Sequence, residues 1–132
     1  MAYGDMFGGI DNVIYAAPSF VRSVALGAAT PVAIWTAGGA LPVPALIRII
    51  DFSAHNNSGA AQGAATVTLQ SNIALGGWIA VTDALAIALN DSIARCTTID
   101  PAQQDIGVAD SIQLVKNAAG DAGIAYITMH LR

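Results

Sequence analysis

Glutamate is absent from this chain: all nine acidic residues are Asp. Glu is a good helix former, whereas Asp prefers caps and turns, so the skew counts against helices. Cations are scarce too. One Lys (Lys116) and four Arg (Arg22, Arg48, Arg95, Arg132) leave a net charge of −4 and no basic patch to neutralise phosphates, which argues against direct contact with nucleic acid. The single cysteine, Cys96, has no intrachain disulfide partner and reads as a small apolar filler. The sequence contains no G-x-S-x-G, no H-E-x-x-H and no P-loop. A cupin-like metal site needs several His, and usually a Glu, converging on one cavity. With only His55 and His130 present, no enzyme activity, cofactor or metal is expected. An uninterrupted apolar run of spanning length is also missing. The stretch from Val24 to Ile47 is broken by Gly27, Pro31, Gly38, Gly39, Pro42 and Pro44, so a membrane helix is not expected. Before Arg22 the N-terminus carries Asp5 and Asp11 and no cation, unlike the basic start of a secretory signal.

What is present is apolar. The chain has 132 residues, of which 55% are hydrophobic and only 11% charged, against about a quarter charged in an ordinary soluble domain. That length suits one domain with one core. A surface so poor in charge is expected to meet other protein, through oligomerisation or docking.

The pattern divides near residue 45. Residues 1–45 are rich in Gly, Pro and Ala without sustained alternation, and read as an extended, irregular arm packing on its own domain or on a neighbouring subunit. Asn12 to Tyr15, Ser19 to Leu26 and Val32 to Thr36 are short extended candidates within it. Residues 46–132 read as a β-sandwich domain, with extended runs punctuated by turn residues. Leu46 to Ser53 comes first, followed by the Asn56-Asn57-Ser58-Gly59 turn. Ala65, Val67 and Leu69 then alternate with Thr66, Thr68 and Gln70. Trp78 to Thr82 follows Gly76-Gly77, and Leu85, Ile87 and Leu89 alternate with alanines. Two runs open with Asp-Ser-Ile, at Asp91 and at Asp110, and the last covers Ile124 to Leu131. Short strands with little helix signal predict an all-β antiparallel sandwich, with the jelly roll as the commonest closed form. Arg48, between Leu46 and Ile50 on one strand face, is expected to pair with an Asp.

Two ligand-binding possibilities arise from side-chain type. Asp100, Asp105 and Asp110 share a loop region and carry the oxygen ligands that Ca²⁺ takes, although Asp at turns is expected without metal. Trp35 and Trp78 offer flat faces of the kind that stack on sugar rings, although both lie in apolar runs where a core or interface role is commoner. Trp78 is the one to test for ligand contact.

From about Ala45 to Arg132 the order of features resembles the small jelly-roll head decoration, or cement, proteins of tailed bacteriophages. A strand leads through an Asn/Gly turn into the Ala65-x-Val67-x-Leu69 strand, then a Gly-Gly-Trp segment, the alternating Leu85-Ile87-Leu89 run, two Asp-Ser-Ile openings and a terminal strand. The resemblance implies a structural virion protein with no catalytic residues, made in the host cytoplasm and seated on the capsid surface. Its implied partners are the major capsid protein and itself, as a homo-oligomer with a trimer favoured. The interface is expected to involve Phe7, Tyr15, Phe20, Trp35 and Trp78, with the arm as bridging element. The alternative is a carbohydrate- or receptor-binding β-sandwich module of a virion tail or spike.

Overall fold

The structure, a computed structural model, describes residues 19–27, 31–36, 46–62, 65–117 and 123–132. Among these there are ten strands and no α-helix: β1 (Ser19–Leu26), β2 (Val32–Trp35), β3 (Ile47–His55), β4 (Thr66–Asn72), β5 (Trp78–Ala80), β6 (Leu85–Ala86), β7 (Ile93–Arg95), β8 (Asp105–Ile106), β9 (Ser111–Lys116) and β10 (Gly123–Leu131). They form two antiparallel sheets. The first runs β1-β10-β3, with β7 and β8 both on the far side of β3. The second runs β2-β9-β4, with β5 and β6 both on β4.

Taking β5 with β6, and β7 with β8, as interrupted strands leaves eight strand positions. Their spatial order is 1-8-3-6 in one sheet and 2-7-4-5 in the other, which is the double Greek key of a jelly roll. The chain thus changes sheet repeatedly, and each sheet draws strands from both ends of the sequence.

The fold reaches back past the boundary expected at residue 45. Ser19–Leu26 pairs with β10 along its whole length, from Leu26 opposite Gly123 to Ser19 opposite His130. Val32–Trp35 pairs with β9. Two of the three extended candidates in the Pro-rich third are therefore sandwich strands, because their side chains complete the core, and the third, Asn12 to Tyr15, lies outside the described residues. Phe20 and Val24 pack against it and Leu26 is buried. In β2 the register slips by one residue between the partners of Ile112 and Gln113. That bulge turns both Ile34 and Trp35 inward, where they are buried.

The alternation read between 65 and 70 is realised, with Ala65, Val67 and Leu69 buried in the core. The Leu85-Ile87-Leu89 run is realised only in part. Leu85 and Ile87 are buried, but the strand stops at Ala86 and Leu89 is exposed. Asn56 explains the break: its fully buried side chain donates to the carbonyls of Ala60 and Leu89, both at 3.0 Å, which binds residue 89 into a turn. The interruption between β7 and β8 is held on the other sheet. Asp83 accepts from the N–H groups of Thr97 (2.9 Å) and Thr98 (3.0 Å) and from both hydroxyls, and Asp100 N–H donates to the Val81 carbonyl at 2.8 Å.

Candidate functional site

The outer face of the first sheet is ordered in rows across its strands. One row holds Ala25, Ile124, His55 and Ile93, the next Ser23, Tyr126, Ser53 and Arg95, and the last Ser19, His130, Arg48 and Asp105. The ion pairs found among the described residues lie on or beside this face. Arg48 Nε and Nη2 grip the Asp105 carboxylate at 2.6 and 3.0 Å, Arg132 approaches it at 3.7 Å, and Arg95 Nε donates to Asp51 at 2.9 Å. Arg48 therefore has the Asp partner expected of it. Hydrogen bonding to the Arg48 guanidinium holds the Asp105 carboxyl below the usual carboxylate range. At the described strand positions on the outer face of the second sheet there is no charged side chain. Its rows carry Thr66, Thr68, Gln70, Asn72, Ser111 and Gln113, with Trp78 at the side.

His55 and His130 occupy opposite ends of the first sheet. Seven strand residues separate His55 from Arg48, the residue opposite His130, which places the two rings roughly 20 Å apart. They cannot share a metal. The three carboxylates expected to share a loop are likewise engaged separately: Asp100 accepts from Ala102 N–H at 2.9 Å, Asp105 stands on strand β8 and holds the arginines, and Asp110 bridges two loops. No group of three potential metal-ligating side chains occurs among the described residues.

Of the five residues expected at an interface, Phe7 and Tyr15 lie outside the described residues. Phe20 packs partly buried against the core, and Trp35 is 7% exposed, with the Arg22 guanidinium 5.5 Å from its ring centroid. That stack joins the two sheets along one open side of the sandwich. Trp78 is 43% exposed on edge strand β5. Only Trp78 of the three offers its ring to solvent.

The feature that sequence reasoning missed is the end of the sandwich formed by the turn after β4 and the loop before β9. The Asp110 carboxylate is nearly buried and binds both segments, accepting from Ala74 N–H through Oδ1 and from Gly107 N–H through Oδ2, each at 2.8 Å. The Asn72 side chain closes the same turn by accepting from Gly77 N–H at 3.0 Å. Within it Ala74 (φ 49, ψ 38) and Leu75 (φ 61) stand consecutively in the left-handed region, at about 1–2 kcal/mol each for residues with a Cβ. Gly76 next door has ordinary right-handed geometry. The turn so held displays Leu75 at 80% exposure, beside Val108 at 66% and Leu46 at 52%. Leu46 lies against Gly107. Leu131 is also partly exposed, its strand paired at Ile47 and the chain continuing into an Arg132 N–H to Leu46 carbonyl bond. These four side chains and the nearby Ile79 and Trp78 make one apolar end. A periodicity search passes over it because Leu75 and Val108 stand alone in turns while Leu46 and Leu131 sit at strand ends. The available signal was a large aliphatic residue inside turn composition, as in Ala74-Leu75-Gly76-Gly77 and Gly107-Val108-Ala109-Asp110.

No protein-family model and no curated protein sequence matches this chain. Among solved structures, the chain is similar to one in the cyanophage Pam1 capsid asymmetric unit, at 14% identity over 89% of this chain and 88% of that one, with a TM-score of 0.47. It is also similar to a chain in the structure of infectious bursal disease virus Gx strain, at 13% identity over 84% of this chain and 32% of that one, with a TM-score of 0.35.

Proposed function

We propose that this chain is a structural virion protein, a capsid decoration or cement protein that sits on the outer surface of a phage head and stabilises contacts between major capsid subunits. The observation that carries this reading is the apolar end: Leu46, Leu75 and Val108 are more than half exposed on a jelly roll, with the Arg48–Asp105–Arg132 ion pairs beside them. Such a display costs solubility unless other protein covers it. The jelly-roll topology, the low charge and the feature order shared with decoration proteins support the same role. The major capsid protein and further copies of the chain, with a trimer favoured, are the partners. Many weak apolar contacts repeated by symmetry give firm binding overall.

The test is sedimentation of the full chain with heads assembled from the major capsid protein of its source virus. Saturable binding and greater resistance of the heads to heat are expected. A chain that stays in the supernatant at all concentrations would overturn the reading.

A second reading, a carbohydrate- or receptor-binding module, is favoured by Trp78 alone, which is exposed on an edge strand. A blue shift of tryptophan emission on titration with glycans, lost in Trp78→Ala, would support it over the first.

A further inference from the structure

We propose that the outer face of the second sheet binds an uncharged glycan, with the Trp78 ring stacking on one sugar and the Gln70–Gln113 amide pair hydrogen-bonding the hydroxyls of another. This rests on the carbohydrate-binding reading of Trp78 and deepens it, naming the surface and the ligand class.

The amides supply the polar contacts. Gln70 and Gln113 stand opposite each other on β4 and β9, and Gln113 Nε2 donates to Gln70 Oε1 at 2.9 Å. That bond uses the donor of one amide and the acceptor of the other. Gln70 Nε2 and Gln113 Oε1 are left without a hydrogen-bond partner among the described residues, although Gln113 is only 9% exposed and a polar group so nearly buried is ordinarily satisfied. Turning both amides over exchanges the atoms, yet one donor and one acceptor still remain. A donor beside an acceptor matches neighbouring sugar hydroxyls, each of which both donates and accepts.

The rows place an aromatic ring within reach of that pair. Ala80 and Ala33 flank the two glutamines, and both are exposed, so small side chains leave the amides open to approach along the row. Trp78 stands one row along on β5, opposite Asn72, and is 43% exposed. From Trp78 to Gln113 is two strand spacings across and two residues along, roughly 12 Å in all, which suits a short oligosaccharide better than a single sugar. The Asn72 side chain accepts from Gly77 N–H at 3.0 Å and so fixes the backbone just ahead of Trp78. Groups held in place beforehand lose little freedom on binding.

Charge sets the class of glycan. The described strand positions of this face carry no ionised side chain, and Lys116, the cation on β9, lies in the inner row opposite Val67 at 4% exposure. A sulfated or carboxylated sugar meets no counter-ion at those positions. A neutral sugar needs none, because its C–H face packs on an indole while its hydroxyls exchange hydrogen bonds with amides.

The experiment is calorimetric titration of the full chain with neutral oligosaccharides of glucose, mannose, galactose and N-acetylglucosamine, and with a heparin oligosaccharide as the charged comparison. At least one neutral glycan is expected to bind with a dissociation constant of about 1 mM or tighter. Binding should weaken about tenfold in Trp78→Ala and about fivefold in Gln70→Ala, and be unchanged in Leu89→Asn, at an equally solvent-facing leucine off this face. The side-chain amide proton resonances of Gln70 and Gln113 should move on titration of the unsubstituted chain, a readout that needs no variant. Binding lost in Trp78→Ala but undiminished in Gln70→Ala, with those resonances still, would overturn the sheet-face site while the carbohydrate-binding reading stands. Preference for the heparin oligosaccharide would overturn the neutral class, and no saturable binding of any probe would overturn the proposal together with the reading it rests on.

Discussion

At Gly123 the chain enters β10 with φ +155, and a Cβ built there would overlap the carbonyl oxygen of His55 on β3. Neither atom can retreat, since His55 is opposite Ile124 in the ladder and Gly123 is opposite Leu26 on the other side. Gly123→Ala is therefore expected to destabilise the fold by about 3 kcal/mol, the range reached when strain meets an immovable backbone. A urea unfolding midpoint equal to that of the wild type would show that β10 can slide at its start. Arg22 illustrates a subtler demand on one residue. It faces inward on β1, stacks on Trp35, and has its Nε buried with no hydrogen bond among the described residues. A cation turned inward on a strand is also a known device against edge-to-edge aggregation. Nothing in the sequence around Arg22 marks it, because Phe20, Arg22 and Val24 share a face only once β1 is known to be a strand.

Among the elements, the interrupted strand formed by β7 and β8 is, like that of β5 and β6, thinly supported by its own ladder. Each piece is only two or three residues long, and the chain between them crosses towards the other sheet, with Thr82 and Ile99 forming an isolated bridge. Carboxylates hold it at both ends. Asp105 fixes β8 to β3 through Arg48. Burial pushes the Asp83 carboxyl up, but the hydrogen bonds from Thr98 and Thr97 outweigh it, and its pKa is lowered in the fold. Asp105 is also lowered, by its hydrogen bonds with Arg48 foremost. A carboxylate whose folded pKa lies below its unfolded value of about 4 contributes stability above that value and loses it as pH falls through the folded pKa. Stability should thus be flat near neutrality and decline below about pH 4. Asp83→Asn with Asp105→Asn should shallow that decline, and amide exchange at residues 96–106 should rise first on acidification. An acid limb unchanged by both substitutions would show that these carboxylates titrate alike in the folded and unfolded chain. Little of this element was legible beforehand. Asp-Ser-Ile at 91 and 110 did announce strands starting at Ile93 and Ser111, because a turn Asp is a local signal. The Asp83 clamp on Thr97 was invisible because it forms only after two sheets have met, whereas an Asp partner for Arg48 was expected but Asp105 becomes it only when β8 pairs with β3.

For the whole molecule, alternation and turn residues were enough to specify two layers of antiparallel strands, and Val67, Leu69, Ile112, Leu114 and Ile127 are buried as those patterns required. Strand order was not legible. It places β1 beside β10 and β2 beside β9, pairings across most of the chain that no local window contains, so the Pro-rich third resembled an arm while two of its segments closed the sandwich. The apolar end escaped for the same reason, since Leu46, Leu75, Val108 and Leu131 are scattered in sequence and assembled by Asp110 and the β3-β10 ladder. How that end works can be separated from ordinary charge pairing by salt. If it met the major capsid protein chiefly through Arg48, Arg132 and Asp105, raising sodium chloride would screen the attraction, with a Debye length falling from about 10 Å at 0.1 M to about 3 Å at 1 M, and binding to heads would weaken. An apolar contact behaves differently, because the burial of aliphatic surface persists when charges are screened. The dissociation constant for heads is therefore expected to hold level as salt rises, and a dissociation constant that instead rises steadily would assign the contact to those charged side chains.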